Sequence, residues 1–276
     1  MKLAFTKMHG LGNDFMVVDL INQNFSFQTE QIKRLADRNK GIGFDQLLVV
    51  EPPIDPETDF HFRIFNADGS EVGQCGNGMR CLARFLREQQ LTWKNKITAT
   101  TITGRVRLQL EKSGLVSVQM GTPKFEPKDI PLNRQQKEAV YTMQTELGEY
   151  QITSLSMGNP HALLFVDDIK SAPVETLGPM ICQHPDFPEQ TNVGFIQVND
   201  RNQISIRVFE RGSGETLACG SGACAAMVAT RKANLCEDNI RVNLPGGHLF
   251  IRWTGEAKSV QMTGPSTIVY QGHINL

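Results

Sequence analysis

Apolar and polar residues alternate along much of the chain. Val106, Leu108 and Leu110 are separated by charged or polar neighbours, as are Ile204, Ile206 and Val208, and Leu249, Ile251 and Trp253 keep the same spacing with Phe250 and Arg252 between them. A period of two marks a strand with one buried and one wetted face. Turn-forming runs at Lys112-Ser113-Gly114 and Asp200-Arg201-Asn202 fold such strands into antiparallel sheet. Helical spacing is rarer. One helix is predicted over about 29–39, with Thr29 as its cap and Ile32, Leu35 and Ala36 on one face. A second follows Cys75, where Met79, Leu82, Ala83 and Leu86 form a stripe opposite Arg80, Arg84 and Arg87. A third, GSGACAAMVAT after Cys219, is small or apolar nearly all round, which predicts burial inside its own sheet.

The pattern occurs twice. RIFNADGSEVGQCGNGMRCLARFLR (63–87) lies over RVFERGSGETLACGSGACAAMVATR (207–231) without a gap, an offset of 144 positions that carries Cys75 onto Cys219. Other pairs recur in the same order: Gly12-Asn13 with Gly158-Asn159, Gly43-Phe44-x-Gln46 with Gly194-Phe195-x-Gln197, and SVQM at 117–120 with SVQM at 259–262. A repeat of this length predicts duplicated structural units. The expected fold is α+β, in two homologous halves, each a mostly antiparallel, barrel-like sheet around a central helix. The expected bounds are 1–120 and 121–264, with residues 121–138, rich in Pro, Lys and Gln, as the crossing segment. The last twelve residues, PSTIVYQGHINL, read as a strand returning to the first half.

Composition narrows the class of ligand. The 276 residues carry a net charge of −1 with 21% charged side chains, which supplies no basic field to hold nucleic acid. No apolar stretch approaches the roughly 20 residues of a membrane-spanning helix, and no leader-like run opens the chain. A cytoplasmic protein acting on a small molecule, with no nucleic-acid or membrane partner, is therefore expected. Its six cysteines are expected to remain thiols.

Two of those cysteines carry the chemistry. Cys75 and Cys219 each stand after a strand and turn, at the start of a helix, as Cys-Gly-x-Gly. A helix N-terminus offers unpaired N–H groups and positive potential, which lower a thiol pKa and attract a carboxylate. A single such cysteine is well explained as a small buried apolar residue; two matched copies are not. Spacings of five or six residues to Cys81 and Cys224 suit neither a zinc pair nor one helix face, so no metal is expected. A cysteine hydrolase needs one thiolate and a histidine, and leaves the second cysteine without a purpose. Inversion of a carbon stereocentre needs a base on one face and an acid on the other, which two cysteines provide. They should titrate as a coupled pair with a bell-shaped pH profile.

The segments HGLGNDF (9–15), GIGFDQ (41–46), FNADGSE (65–71), QCGNG (74–78), SMGNPH (156–161), ERGSGET (210–216), ACGSGACA (218–225) and LPGG (244–247) closely resemble diaminopimelate epimerase, over nearly the whole chain. The resemblance implies that Cys75 and Cys219 move the proton between LL- and meso-2,6-diaminopimelate, in lysine and peptidoglycan precursor synthesis, without a cofactor. It implies His161 and Glu210 as residues that orient or tune the thiols. It places substrate contacts at Asn13, Gln46, Asn66, Gly76, Asn77, Asn159, Asn192, Glu210, Arg211, Gly220 and Ser221. A homodimer is implied as well, with Tyr270 as a contact. On physical grounds a substrate with a distal ammonium and carboxylate suits Arg211, whose guanidinium can grip a carboxylate through two bonds. The pattern departs at Met79, where Ala is expected; the helix stripe makes that a question of packing. Proline racemase or hydroxyproline epimerase is the alternative, but substrates lacking a distal amino acid give no reason for Arg211 and the asparagines.

Overall fold

The computed structural model describes residues 2–276. The first stretch runs β1 (Lys2–Gly10), β2 (Asn13–Asp19), α1 (Thr29–Ala36), β3 (Gln46–Glu51), β4 (Phe60–Asn66) and β5 (Glu71–Val72). It continues through α2 (Gly76–Glu88), β6 (Lys96–Thr101), β7 (Gly104–Leu110) and β8 (Val116–Gln119). Next come β9 (Tyr141–Thr145), β10 (Gly148–Ser156), β11 (Pro160–Phe165), α3 (Val174–Cys182), β12 (Asn192–Asp200) and β13 (Gln203–Glu210). The remainder is β14 (Gly214–Thr216), α4 (Gly220–Lys232), β15 (Asn239–Leu244), β16 (Gly247–Arg252), β17 (Gln261–Gly264) and β18 (Thr267–Asn275). The chain divides into two compact units, 1–119 with 263–276, and 120–262.

Each unit is a mostly antiparallel sheet on a central helix, an α+β fold in two copies. In the first unit β18, β1, β2, β3, β4, β6, β7 and β8 are neighbours in that order. The β2–β3 and β4–β6 steps are parallel and the rest antiparallel. In the second, β9 to β13, β15 and β16 follow the same logic, with β11–β12 and β13–β15 as the parallel steps. A parallel step needs a crossover, and the crossovers carry the helices: α1 and α3 at one step, α2 and α4 at the other.

Register repeats too. Phe65 faces Glu71 in one unit and Phe209 faces Glu215 in the other. Beside them the Arg63 guanidinium donates two bonds to Glu71 at 3.0 and 2.8 Å, and Arg207 donates two to Glu215 at 2.7 and 2.8 Å. These paired forks tie down the turn that leads into each cysteine.

Helix α4 is buried from Gly222 to Thr230, as its all-round small and apolar surface predicts. Helix α2 buries Met79, Leu82, Ala83 and Leu86, but its expected polar face is wrong at one residue: Arg80 is fully buried. Its guanidinium donates to the Pro265 carbonyl at 3.0 Å, the Gly76 carbonyl at 3.3 Å and Asn77 Oδ1 at 2.9 Å, and these bonds let the charge leave water. Helix α1 ends at Ala36, short of the expected 39, because Asp37 turns its carboxylate onto the N–H groups of Asn39 and Lys40. Its cap is Gln28 rather than Thr29, with the Gln31 side chain accepting the Gln28 N–H at 3.0 Å. Helix α3, with Gly178 and Pro179 inside it, has no helical signature strong enough to predict. It forms because Val174, Leu177, Ile181 and Cys182 enter the core with Phe187, Val193 and Phe195. Among the described residues no helix is long and apolar enough to cross a membrane.

Candidate functional site

The strongest local correspondence between the units is at the two cysteines. Cys75 is the N-cap of α2 with φ −143° and ψ 105°, and Cys219 the N-cap of α4 with φ −104° and ψ 108°. Each sulfur accepts the backbone N–H of the residue three positions on, Gly78 or Gly222, at 3.4 Å. Sulfur thus occupies the place that a serine or aspartate oxygen takes at an ordinary cap. The second glycine of each Cys-Gly-x-Gly is explained by packing. A Cβ on Gly78 would stand 3.0 Å from Leu48 Cδ2, and one on Gly222 would stand 3.0 Å from Val208 Cγ2 and 3.2 Å from the Cys219 sulfur. The helix can start this close to its strand only without a side chain there.

In the first unit Cys75 stands with Asn13 and Asn77. The Cys75 thiol donates to Asn13 Oδ1 at 3.7 Å, and Asn77 Nδ2 donates to the same oxygen at 3.3 Å. Gln46 and Asn66 face each other across β3 and β4, with Gln46 Nε2 donating to Asn66 Oδ1 at 2.9 Å and Asn66 Nδ2 to Ser70 Oγ at 3.0 Å. Gln46 Oε1 is buried and has no protein partner, so an acceptor remains for a ligand or water. Gly76 and Asn77 form the buried first turn of α2.

In the second unit a line of hydrogen bonds ends at Cys219. His161 Nε2 meets Asn159 Oδ1 at 3.1 Å, Asn159 Nδ2 donates to Ser221 Oγ at 3.2 Å, and Ser221 Oγ stands 3.6 Å from the Cys219 sulfur. His161 is fully buried, and burial, then the charge of Arg211, push its pKa down to about 3. It is therefore a neutral N–H donor three bonds from the sulfur, not a cation beside it. Glu210 is the group at the thiol: its carboxylate hydrogen-bonds Cys219, and its Oε1 accepts the Thr216 hydroxyl at 2.6 Å. Asn192, buried on β12, accepts the Arg211 backbone N–H at 3.0 Å, while the Arg211 guanidinium is exposed and donates to the Glu189 carbonyl at 3.0 Å. Gly220 begins α4, buried behind the cysteine.

The thiol chemistry departs from the expectation for a helix N-terminus. Burial, then the Glu210 charge and its hydrogen bond, hold the Cys219 pKa well above the ordinary thiol value, against the opposing pull of Ser221 and the Gly222 N–H. Desolvation outweighs the helix end, so Cys219 keeps its proton at neutral pH. Cys81 is pushed up to about 12 by burial and serves packing.

Residues that the motif reading passed over are Asp45, Arg80 and Thr216. Asp45 lies inside GIGFDQ and Thr216 closes ERGSGET, while Arg80 follows QCGNG by two residues in the duplicated run, so the signal for each is its neighbours. Tyr270 stands on β18, 45% exposed, with its ring edge-on to Phe5 at 6.0 Å.

Solved structures with this fold include a phenazine biosynthesis protein of the PhzF family from Bacillus anthracis (TM-score 0.70, 15% identity, all of both chains covered). A hydroxyproline epimerase from Agrobacterium vitis, solved with trans-4-hydroxy-L-proline, matches with a TM-score of 0.71 at 15% identity over 99% of this chain and 92% of its own. A probable proline racemase from Agrobacterium radiobacter K84 matches with a TM-score of 0.73 at 16% identity over 99% and 93%. At such identities the likeness is one of fold. The family model for diaminopimelate epimerase matches residues 5–126 and 153–269, a span that takes in both cysteine caps and every polar residue grouped around them, and the chain belongs to that family.

Proposed function

We propose that this protein interconverts LL- and meso-2,6-diaminopimelate by a two-base reaction in which Cys75 and Cys219 act on opposite faces of one α-carbon. Family membership makes it an epimerase-type isomerase. The observation that carries the finer reading is the duplicated cysteine cap, one sulfur on one N-terminal N–H in each unit. In one direction the Cys75 thiolate takes the α-proton as the C–H bond breaks. The Cys219 thiol then gives its proton to the other face as the new C–H bond forms, so one proton enters the protein and one leaves. Cys219 is suited to the donor role, because burial and Glu210 keep its proton in place. In the reverse direction the roles exchange.

The carbanion is the high-energy species, and its charge spreads into the substrate carboxylate. The first-turn amides at Gly76-Asn77 and Gly220-Ser221 are the donors that this reading aims at those oxygens. Arg211, exposed on its loop and held by Asn192, supplies a guanidinium for the distal carboxylate, and Gln46 Oε1 an acceptor for an ammonium. The reaction then needs no cofactor. The same reading makes the enzyme a cytoplasmic homodimer whose second copy is seated along the β18 edge at Tyr270.

The test is proton NMR in heavy water with LL-diaminopimelate, comparing wild type with Cys75→Ala and Cys219→Ala. Loss of the α-proton signal and formation of the meso isomer by wild type, with no epimerisation by either variant, is the expected result. Exchange of proline or hydroxyproline instead would move the substrate to the racemase alternative. Turnover surviving in one variant, with a covalent acyl adduct, would replace the reading by a single-cysteine mechanism.

A further inference from the structure

The two half-sites share a backbone but not their carboxylates. Position 210 is Glu, and its charge and hydrogen-bonding capacity help to keep the proton on the Cys219 thiol. The equivalent position in the first copy is Asn66, whose amide is already engaged by Gln46 and Ser70. The acceptor facing Cys75 is instead Asn13 Oδ1, at 3.7 Å. An amide can present either its oxygen or its NH2, so which end meets the sulfur depends on what holds the rest of the side chain.

Two groups without that ambiguity decide it. Asp45 Oδ2 can only accept, and it takes the Asn13 Nδ2–H at 2.8 Å, which turns Asn13 Oδ1 toward the sulfur. At the other end the Arg80 guanidinium can only donate. It takes Asn77 Oδ1 at 2.9 Å, so Asn77 must offer its NH2 to Asn13 Oδ1. The line from Asp45 to Arg80 therefore has one polarity, and Asn13 faces Cys75 with its oxygen.

We propose that Asp45 is a positioning residue for Cys75, the counterpart in the first unit of Glu210 in the second: it locks the Asn13 amide so that its oxygen accepts the S–H that Cys75 carries after taking a proton. An amide oxygen favours the thiol over the thiolate, so the lock makes Cys75 a stronger base. Asp45 is itself held by the Asp14 N–H at 3.1 Å and by Arg38 at 2.7 Å, while Arg38 and Lys7 also bind Asp14. The charged and titratable groups on the elements that carry this line are Lys7, His9, Asp14 and Arg38 at the Asp45 end and Arg80 at the Asn77 end, with the buried Cys81 of the same helix close enough to sense Cys75. The inference goes beyond the proposed reaction, and its test uses no substrate, so it can fail while the epimerase reading stands.

The measurement is the rate of Cys75 alkylation by iodoacetamide against pH, read by peptide-resolved mass spectrometry. Asp45 is 43% exposed, so its replacement leaves the core intact. Asp45→Ala leaves only the long 3.3 Å bond from Asn77 to hold the Asn13 oxygen; the amide gives that bond up to turn its NH2 to the sulfur, and alkylation below the thiol midpoint should rise about tenfold, the equivalent of one hydrogen bond to an ionised group. Asp45→Asn loses the same charge but keeps an acceptor oxygen for Asn13, and should stay within about twofold of wild type. In an Asn13→Ala background, Asp45→Ala should change nothing. Equal acceleration by Asp45→Ala and Asp45→Asn, or an effect of Asp45→Ala that persists without Asn13, would show a simple charge effect and overturn the proposal. No change in Asp45→Ala would overturn it as well.

Discussion

His161 should remain neutral throughout the range in which an ordinary histidine titrates. The fully buried ring has its pKa pushed from the usual 6.5 down to about 3, first by burial and then by Arg211. The unfolded chain binds a proton here below about pH 6.5 and the folded chain does not until about pH 3, so in that window the unfolded state holds more protons and acidification destabilises the fold. One proton corresponds to about 1.4 kcal/mol per pH unit at full difference, so lowering the pH from 6 to 5 should remove about 1 kcal/mol through this residue. Denaturant unfolding of wild type and His161→Asn at pH 7, 6 and 5 isolates that contribution, because the carboxylates titrate alike in both. The stability gap between them should change by about 1 kcal/mol over the last step. In parallel, the His161 ring resonances should not move between pH 8 and pH 4.5. A midpoint near 6 for this ring, or a gap that is constant with pH, would refute the reasoning. It would also put a cationic histidine near the thiol, in place of a neutral donor hydrogen-bonded to Asn159.

Other consequences follow from the same geometry. Glu210→Gln keeps the Thr216 bond but removes the charge at Cys219, so alkylation of Cys219 should rise roughly tenfold or more while remaining below that of an exposed cysteine, since burial persists; an unchanged rate would remove Glu210 from the thiol. Gly222→Ala gains up to about 1 kcal/mol of helix propensity, but its Cβ presses on Val208 and on the Cys219 sulfur. Turnover should drop on the order of tenfold while stability changes by less than about 2 kcal/mol, and wild-type kcat in a folded variant would sink that account. Met79→Ala empties a fully buried position on α2 and should cost about 2–4 kcal/mol of stability. Cysteine alkylation profiles in the folded variant should match wild type; a changed Cys75 profile would show that the stripe and the cap are coupled.

A great deal of this protein is legible without coordinates, because duplication is a property of the letters. The offset that carries Cys75 onto Cys219 also carries Arg63 onto Arg207 and Glu71 onto Glu215, and the structure pairs both sets alike. Strand alternation and the apolar run of α4 are equally local: they depend on a residue and its near neighbours, and the folded chain obeys them. The cysteines, asparagines, His161, Glu210 and Arg211 could all be named as a set from spacing and resemblance.

Tertiary structure decided the surroundings, and so the charge state, of particular side chains. Arg80 reads as one of three arginines on a polar helix face, yet it lies in the core, because its partners at Pro265 and Gly76 are a carbonyl from the far end of the chain and one from the turn above. The helix end promises an acidic thiol, but desolvation and Glu210 override it at Cys219. His161 is a candidate cation by letter and a neutral donor by burial. Helix α3 exists despite Gly178 and Pro179, because core packing outweighs weak propensity. In each case the deciding quantity is burial or a partner distant in sequence. Position along the chain names the two capping cysteines and their polar neighbours; only the folded surroundings set their charge.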